Sequence, residues 1–281
     1  MAQCCLITCN NKIECEDFNL CVIHLKELSS GNLPSTIQIK SSEDTTHLIE
    51  IPRKSTEFSD IENKFLGDWV KPNTQGLRVE AIFSIILPKS IVNNYKSYRS
   101  TVESRGKFKS QGLEEGNERI LYHGTDHNCA VIYDALRELC KSSNCAGCGI
   151  LMNSFKLDKA NVGINKQGRS FQRLGQGIYF TPYSSKAHFY GHGGAKPLPT
   201  EAGRTCRMMF MTKVVLGNTW QPDRVSQNCR SPPAGHDSTW GRVGKCPHGG
   251  AVLNYEEYAV YRNDACLPSK YIAYSYTSTN E

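Results

Sequence analysis

The residues of this chain best suited to chemistry fall in three short segments that are weak when taken singly. Tyr122-His123-Gly124-Thr125 sets an imidazole at the end of an apolar run, where a turn is the commoner explanation. Gly175-Gln176-Gly177-Ile178-Tyr179-Phe180 sets a tyrosine in a glycine-flanked stretch, where core packing would serve equally well. Leu253-Asn254-Tyr255-Glu256-Glu257-Tyr258-Ala259-Val260-Tyr261 is harder to dismiss. A carboxylate in a half-buried strand costs free energy unless it has a partner or a task. Side chains alternate along a strand, so Glu256 and Glu257 fall on opposite faces, one open to solvent and the other turned into a cleft.

Positioning these groups requires a strand-rich framework. Val79 to Leu87 is β-rich and ends at Pro88, which predicts a strand. Ile120 to His123, Gly177 to Phe180, Met208 to Val215, Glu257 to Tyr261 and Tyr271 to Tyr276 supply further strands. Ile132, Leu136 and Leu139 recur at helical spacing behind Asp126, a suitable N-cap. Many strands, few helices and long loops imply an α+β domain built on antiparallel sheets.

The chain has 281 residues and a net charge of +6, enough for one domain with a small appendage. Its first residues lack a basic region followed by an apolar stretch, and its longest apolar run is too short to span a bilayer. Its thirteen cysteines, an odd number, are then expected as reduced thiols or metal ligands, which implies a cytoplasmic or nuclear setting with no membrane partner. Residues 1–30 carry the first cysteine cluster, and residues 31–56, rich in Ser, Thr, Gly and Pro, read as a linker. Residues 57–281 are left as the main domain. Between Lys156 and Arg173, five basic residues (Lys156, Lys159, Lys166, Arg169 and Arg173) stand against Asp158 alone. Such a stretch is either a solvated loop or a surface that meets phosphates.

In their order and separation, the three segments together resemble the His, Tyr and Glu triad of the poly(ADP-ribose) polymerase family. Phe65-Leu66-Gly67-Asp68-Trp69 ahead of the Val79 strand resembles the entry into that family's catalytic domain. Lys213 to Asn218 resembles the strand before its acceptor-side loop. Asn153-Ser154-Phe155 and the stretch Pro232 to Ser238 resemble a fungal-type branch. The resemblance implies an ADP-ribosyltransferase fold of two packed antiparallel β-sheets with flanking helices. It also implies cleavage of the nicotinamide–ribose bond of NAD, the substrate, with transfer of ADP-ribose to a protein acceptor or, alternatively, a nucleic acid. NAD hydrolysis by water and non-catalytic binding of NAD or ADP-ribose are the competing activities.

By that likeness His123 contacts the adenine-side ribose and the Gly124 backbone holds the nicotinamide amide, with Thr125 beside it. Tyr179 and Tyr190 flank the nicotinamide ring, as aromatic faces suit a flat heterocycle, although Tyr190 also fits a core position. Glu257 meets the ribose 2′-hydroxyl and stabilises the positive charge that develops on the sugar as the bond breaks. Arg173 and the basic loop border the pyrophosphate. Ala187 stands where many relatives carry a serine that bonds the amide, with Ser184 or Ser185 as substitutes under a shifted alignment.

Cys5, Cys9, Cys21 and His24 have the ligand types and spacing of a small Cys3His zinc knuckle, with Cys4 and Cys15 as competitors. Cys140, Cys145 and Cys148 offer three thiolates for a structural Zn2+ or remain plain thiols. Cys129, Cys206 and His127 are candidates for a fourth ligand.

Overall fold

The computed structural model describes residues 46–72, 74–127, 142, 145–160, 173–190, 196–197, 203–223, 229–244 and 253–277. The expected helix over Ile132 to Leu139 and the N-terminal cysteine cluster lie outside these residues.

Two sheets organise the described part. In the larger, β1 (His47–Glu50), β2 (Arg78–Ile86), β10 (Cys266–Thr277), β6 (Arg204–Val215) and β3 (Glu118–His123) follow in that order, and β5 (Lys196–Pro197) also pairs with β6. All these pairings are antiparallel. The smaller sheet runs β4 (Ile178–Phe180), β9 (Glu257–Val260), β8 (Ser238–Gly241) and β7 (Thr219–Trp220). Here the expectation of purely antiparallel sheets needs correction, because β7 pairs with β8 in parallel. The mixed α+β architecture with two sheets is otherwise as expected.

The sheet also starts earlier than expected. β1 lies inside the stretch 31–56 read as a linker, and it pairs with β2 from His47↔Ile86 to Glu50↔Phe83. Ile49 and Ile51 are buried there. A Ser- and Thr-rich composition hid a short edge strand whose apolar content is only Leu48 and Ile49.

The two long central strands are buried on both faces, and their alternate residues feed two cores. Met208, Phe210, Tyr271 and Ala273 join one cluster with Tyr95, Tyr98, Val102, Phe180, Tyr258 and Val260. Met209, Met211, Ile272 and Tyr274 join the other with Phe58, Ile61, Phe65, Tyr122 and Ala187. The larger sheet therefore has the smaller sheet and helix α2 (Lys89–Gly106) on one face and helix α1 (Thr56–Gly67) on the other.

Local chemistry sets both helices. Ser55 caps α1 by accepting from Phe58 N at 3.1 Å, and Glu57 places negative charge in the first turn. Phe58, Ile61 and Phe65 then form one buried stripe. Each contributes about 1.5–3 kcal/mol by leaving water. α2 starts behind Pro88, buries only Tyr95, Tyr98 and Val102, and ends at Lys107 in the left-handed region. Among the described residues, no helix is long and apolar enough to cross a membrane.

Candidate active site

The sheets meet where their edge strands touch. Tyr122 and Thr181 exchange main-chain hydrogen bonds of 2.8 and 3.1 Å, so β3 and the end of β4 join. This junction places His123 beside Tyr179. The His123 Nδ1 lies 2.9 Å from the Tyr179 carbonyl oxygen. A carbonyl only accepts, so the proton is assigned to Nδ1 and Nε2 is left as an acceptor. Burial lowers the His123 pKa, and the bond to Tyr179 offsets this only in part, so the ring is neutral at physiological pH. Phe155 and Phe180 fix its plane, the first edge-on with ring centres 4.9 Å apart.

Tyr179 is anchored by its hydroxyl, which donates to Gly175 O at 2.7 Å and accepts from Leu174 N at 2.9 Å. With both functions of that hydroxyl satisfied, its ring face is what remains to offer a ligand. Gly175 sits at φ 91°, and a β-carbon there would collide with the Cys229 carbonyl, so only glycine fits. Arg173 is half-buried in the same turn, one residue ahead of Leu174. Thr125 is half-buried two residues past His123, at the end of the same segment.

Strand register brings the carboxylate to the same place. Tyr179 pairs with Ala259, two residues from Glu257 on the same face of β9. Glu257 is only 6% exposed. Its Oε1 accepts from Lys186 Nζ at 2.6 Å and from the Tyr190 hydroxyl at 3.1 Å. Glu256 points the other way, half-buried, and accepts from Trp240 Nε1 at 3.2 Å. The alternation expected of the two glutamates is thus present.

Lys186 and Tyr190 come from one short segment, α4 (Ser184–His188) and the turn after it. Burial is the largest single influence and works against the Lys186 charge, but Glu257 and Tyr190 together outweigh it and the pKa lies above the ordinary lysine value. Desolvation and the Glu257 charge both raise that of Tyr190. Tyr190 as a residue is 45% exposed, so the core reading of it is set aside. Lys186 was missed by sequence reasoning, since a lysine within Ser184-Ser185-Lys186 reads as solvent-facing.

The position of α4 depends on two close approaches. A β-carbon at Gly124 would overlap the Ala187 main-chain oxygen, so β3 reaches α4 only through a glycine. Ser184 donates to Phe65 O at 2.7 Å, and Ser185 accepts from Val70 N and Lys71 N at 3.1 and 3.2 Å. Both serines are fully buried and tie α4 to the end of α1. Their role is architectural, and Ala187 is buried between His123's strand and α1. The Phe65 to Trp69 segment closes the arrangement, because Asp68 accepts from the Tyr122 hydroxyl at 2.8 Å, one residue before His123.

One further residue near the site stands out. Ser154 precedes Phe155 at φ 58° and ψ −173°, a conformation costly for any residue but glycine, and its buried hydroxyl has no hydrogen-bond partner. In the sequence it showed only as part of Asn153-Ser154-Phe155.

The cysteine sites fare differently. Cys5, Cys9, Cys21, His24 and Cys140 lie outside the described residues. Cys145 and Cys148 are buried at the start of helix α3 (Ala146–Asn153). Of the suggested fourth ligands, His127 is hydrogen-bonded to the Tyr271 hydroxyl. Cys206 lies on β6, opposite Ser275, with burial pushing its thiol up to about 12. Among the described residues, no group of three or more His, Cys, Asp or Glu side chains is placed to hold a metal ion. A cavity of about 370 Å³ beside the Arg105–Asp237 ion pair is lined by none of the residues of the triad.

No family model matches the chain.

Proposed function

We propose that this chain is an NAD-dependent ADP-ribosyltransferase of the poly(ADP-ribose) polymerase type. It breaks the bond between nicotinamide and ribose and passes ADP-ribose to an acceptor, a protein side chain before a nucleic acid. One observation carries the reading: a buried carboxylate, Glu257, is held by a cation and a tyrosine on the same sheet face as Tyr179, whose carbonyl fixes His123.

Each group has a task in that reaction. His123 Nε2, the acceptor nitrogen of a neutral ring, takes a hydrogen bond from a ribose hydroxyl. The anchored Tyr179 ring and the exposed Tyr190 ring offer faces to the nicotinamide. The Gly124 main chain, next to His123, offers its polar groups to the carboxamide. As the glycosidic bond stretches, positive charge grows on the sugar, and Glu257 opposes it in a site where water is scarce. Lys186 and Tyr190 keep the carboxylate in place, so little reorganisation is needed as the charge develops. Arg173, at the edge of the Tyr179 turn, supplies positive charge for the pyrophosphate.

The test is incubation of the purified chain with NAD labelled on the adenylate, following nicotinamide, free ADP-ribose and label on macromolecules. Label on protein or nucleic acid supports transfer and identifies the acceptor. Nicotinamide with free ADP-ribose alone replaces the reading with NAD glycohydrolysis. Binding of NAD without nicotinamide release replaces it with a binding module.

A further inference from the structure

Behind the helix that carries Lys186 lies a buried cation with no carboxylate beside it. Arg207 sits on β6 opposite Tyr274 of β10 and is 7% exposed. Its Nη1 donates to the main-chain oxygen of His188, the last residue of α4, at 2.9 Å. Its Nε is buried and has no hydrogen-bond partner. Among the described residues no carboxylate pairs with this guanidinium. The Tyr276 ring centre lies 5.5 Å from its central carbon. Trp69, Tyr274 and Tyr276 pack around the His188 ring, their centres 5.0, 5.8 and 5.0 Å from it. These neighbours bring rings and hydroxyls to the cation but no carboxylate. The indole N–H of Trp69, packed on the same imidazole, is a second buried donor with no partner.

A buried charge is costly unless an opposite charge or several hydrogen bonds accompany it. A lysine can answer burial by releasing its proton, whereas a guanidinium keeps its charge. The unused Nε lies on the edge of the guanidinium that grips two oxygens side by side.

We propose that Arg207 is the centre of a binding site for a small two-oxygen anion, a carboxylate or a phosphate. Nε and the adjoining Nη2 hold the two oxygens, while Nη1 stays on His188. The slight exposure of Arg207 admits only a small ion. His188 lies two residues from both Lys186 and Tyr190, the partners of Glu257. A filled site therefore steadies the end of the segment that holds that carboxylate. The site needs no NAD chemistry and stands apart from the transferase reading.

The experiment titrates the isotope-labelled full chain with sodium formate, acetate or phosphate at pH 7, against sodium chloride at matched ionic strength. It follows the Arg207 Nε–H resonance by NMR and the midpoint of urea unfolding. An ion of three heavy atoms such as formate binds at best with a Kd of about 1 mM. The expected result is a resonance shift that half-saturates at about 1–10 mM, with a rise in the urea midpoint that Arg207→Met lacks. Saturation by formate and acetate supports the site and assigns it to carboxylates, and saturation by phosphate alone supports it and assigns it to phosphates. Shifts no larger than those in chloride overturn the proposal and leave Arg207 facing water. A midpoint rise equally large in Arg207→Met overturns it too, since the salt then acts on the protein surface as a whole. The resonance is read on the wild-type chain, so it decides the matter should Arg207→Met fail to fold.

Discussion

Lys186 Nζ lies 2.6 Å from Glu257 Oε1, with the two side chains 16% and 8% exposed. A pair this well removed from water does not primarily stabilise a fold, because desolvating two ions offsets most of their attraction. It does hold the carboxylate in one place, aimed by Lys186 and the Tyr190 hydroxyl. Lys186 therefore acts through Glu257 as a positioning residue.

Replacing Lys186 with Met leaves Glu257 buried with the Tyr190 hydroxyl as its remaining partner. Stability falls by about 3 kcal/mol, as expected when one member of a buried pair is lost. kcat falls by about 10²-fold with KM for NAD little changed, because the carboxylate is no longer held at the reacting centre. Lys186→Arg recovers most of this loss. Denaturant melts and separate kcat and KM measurements on the two variants check this.

Gly124→Ala places a methyl group on the Ala187 carbonyl oxygen. Neither backbone can yield cheaply, since α4 is pinned by Ser184 and Ser185. The expected cost is about 3 kcal/mol, near the upper end for an overpacked site. Urea unfolding of the variant measures it.

His127 gives the fold an acid sensitivity. Burial, only partly offset by the Thr125 main chain, holds its pKa down at about 4. An unfolded histidine takes up its proton near pH 6.5. Between these values the unfolded chain binds more protons, so this contribution is intact above pH 6.5 and falls away as pH drops towards 4. The loss amounts to about 3 kcal/mol. Comparing unfolding free energies at pH 7 and pH 4 with those of His127→Asn isolates it: the variant shows a smaller acid decrease.

Ser154→Gly stabilises the chain. It relieves a backbone conformation that costs a non-glycine residue about 1–3 kcal/mol and removes a buried hydroxyl with no partner. The larger unfolded-state entropy of glycine returns about 0.5–1 kcal/mol of this. A net gain of about 1 kcal/mol is expected in denaturant titrations.

What could be read in the sequence follows from how each element is buried. The strands were visible because β2, β6 and β10 are central and carry nearly unbroken apolar runs. α2 was not, because only Tyr95, Tyr98 and Val102 of its eighteen residues are buried, and its polar remainder masks the stripe. α1 did carry a signal, with Ser55 as cap and Phe58, Ile61 and Phe65 at helical spacing, yet its apolar residues read equally well as short runs between turns. Glu257 was legible as a charge in an apolar strand. Lys186 was not, since a lysine in a polar stretch reveals its partner only after folding brings β9 beside α4. The parallel β7–β8 pair was hidden too, because Thr219 and Trp220 are too few to form a pattern.

The most direct test of the account compares the wild-type chain with Glu257→Gln, measuring nicotinamide released from NAD alongside the unfolding transition. The account predicts a loss of about 10²–10³-fold in kcat with the transition retained. Undiminished nicotinamide release from a folded Glu257→Gln variant would contradict the assignment of this carboxylate and the transferase reading built on it.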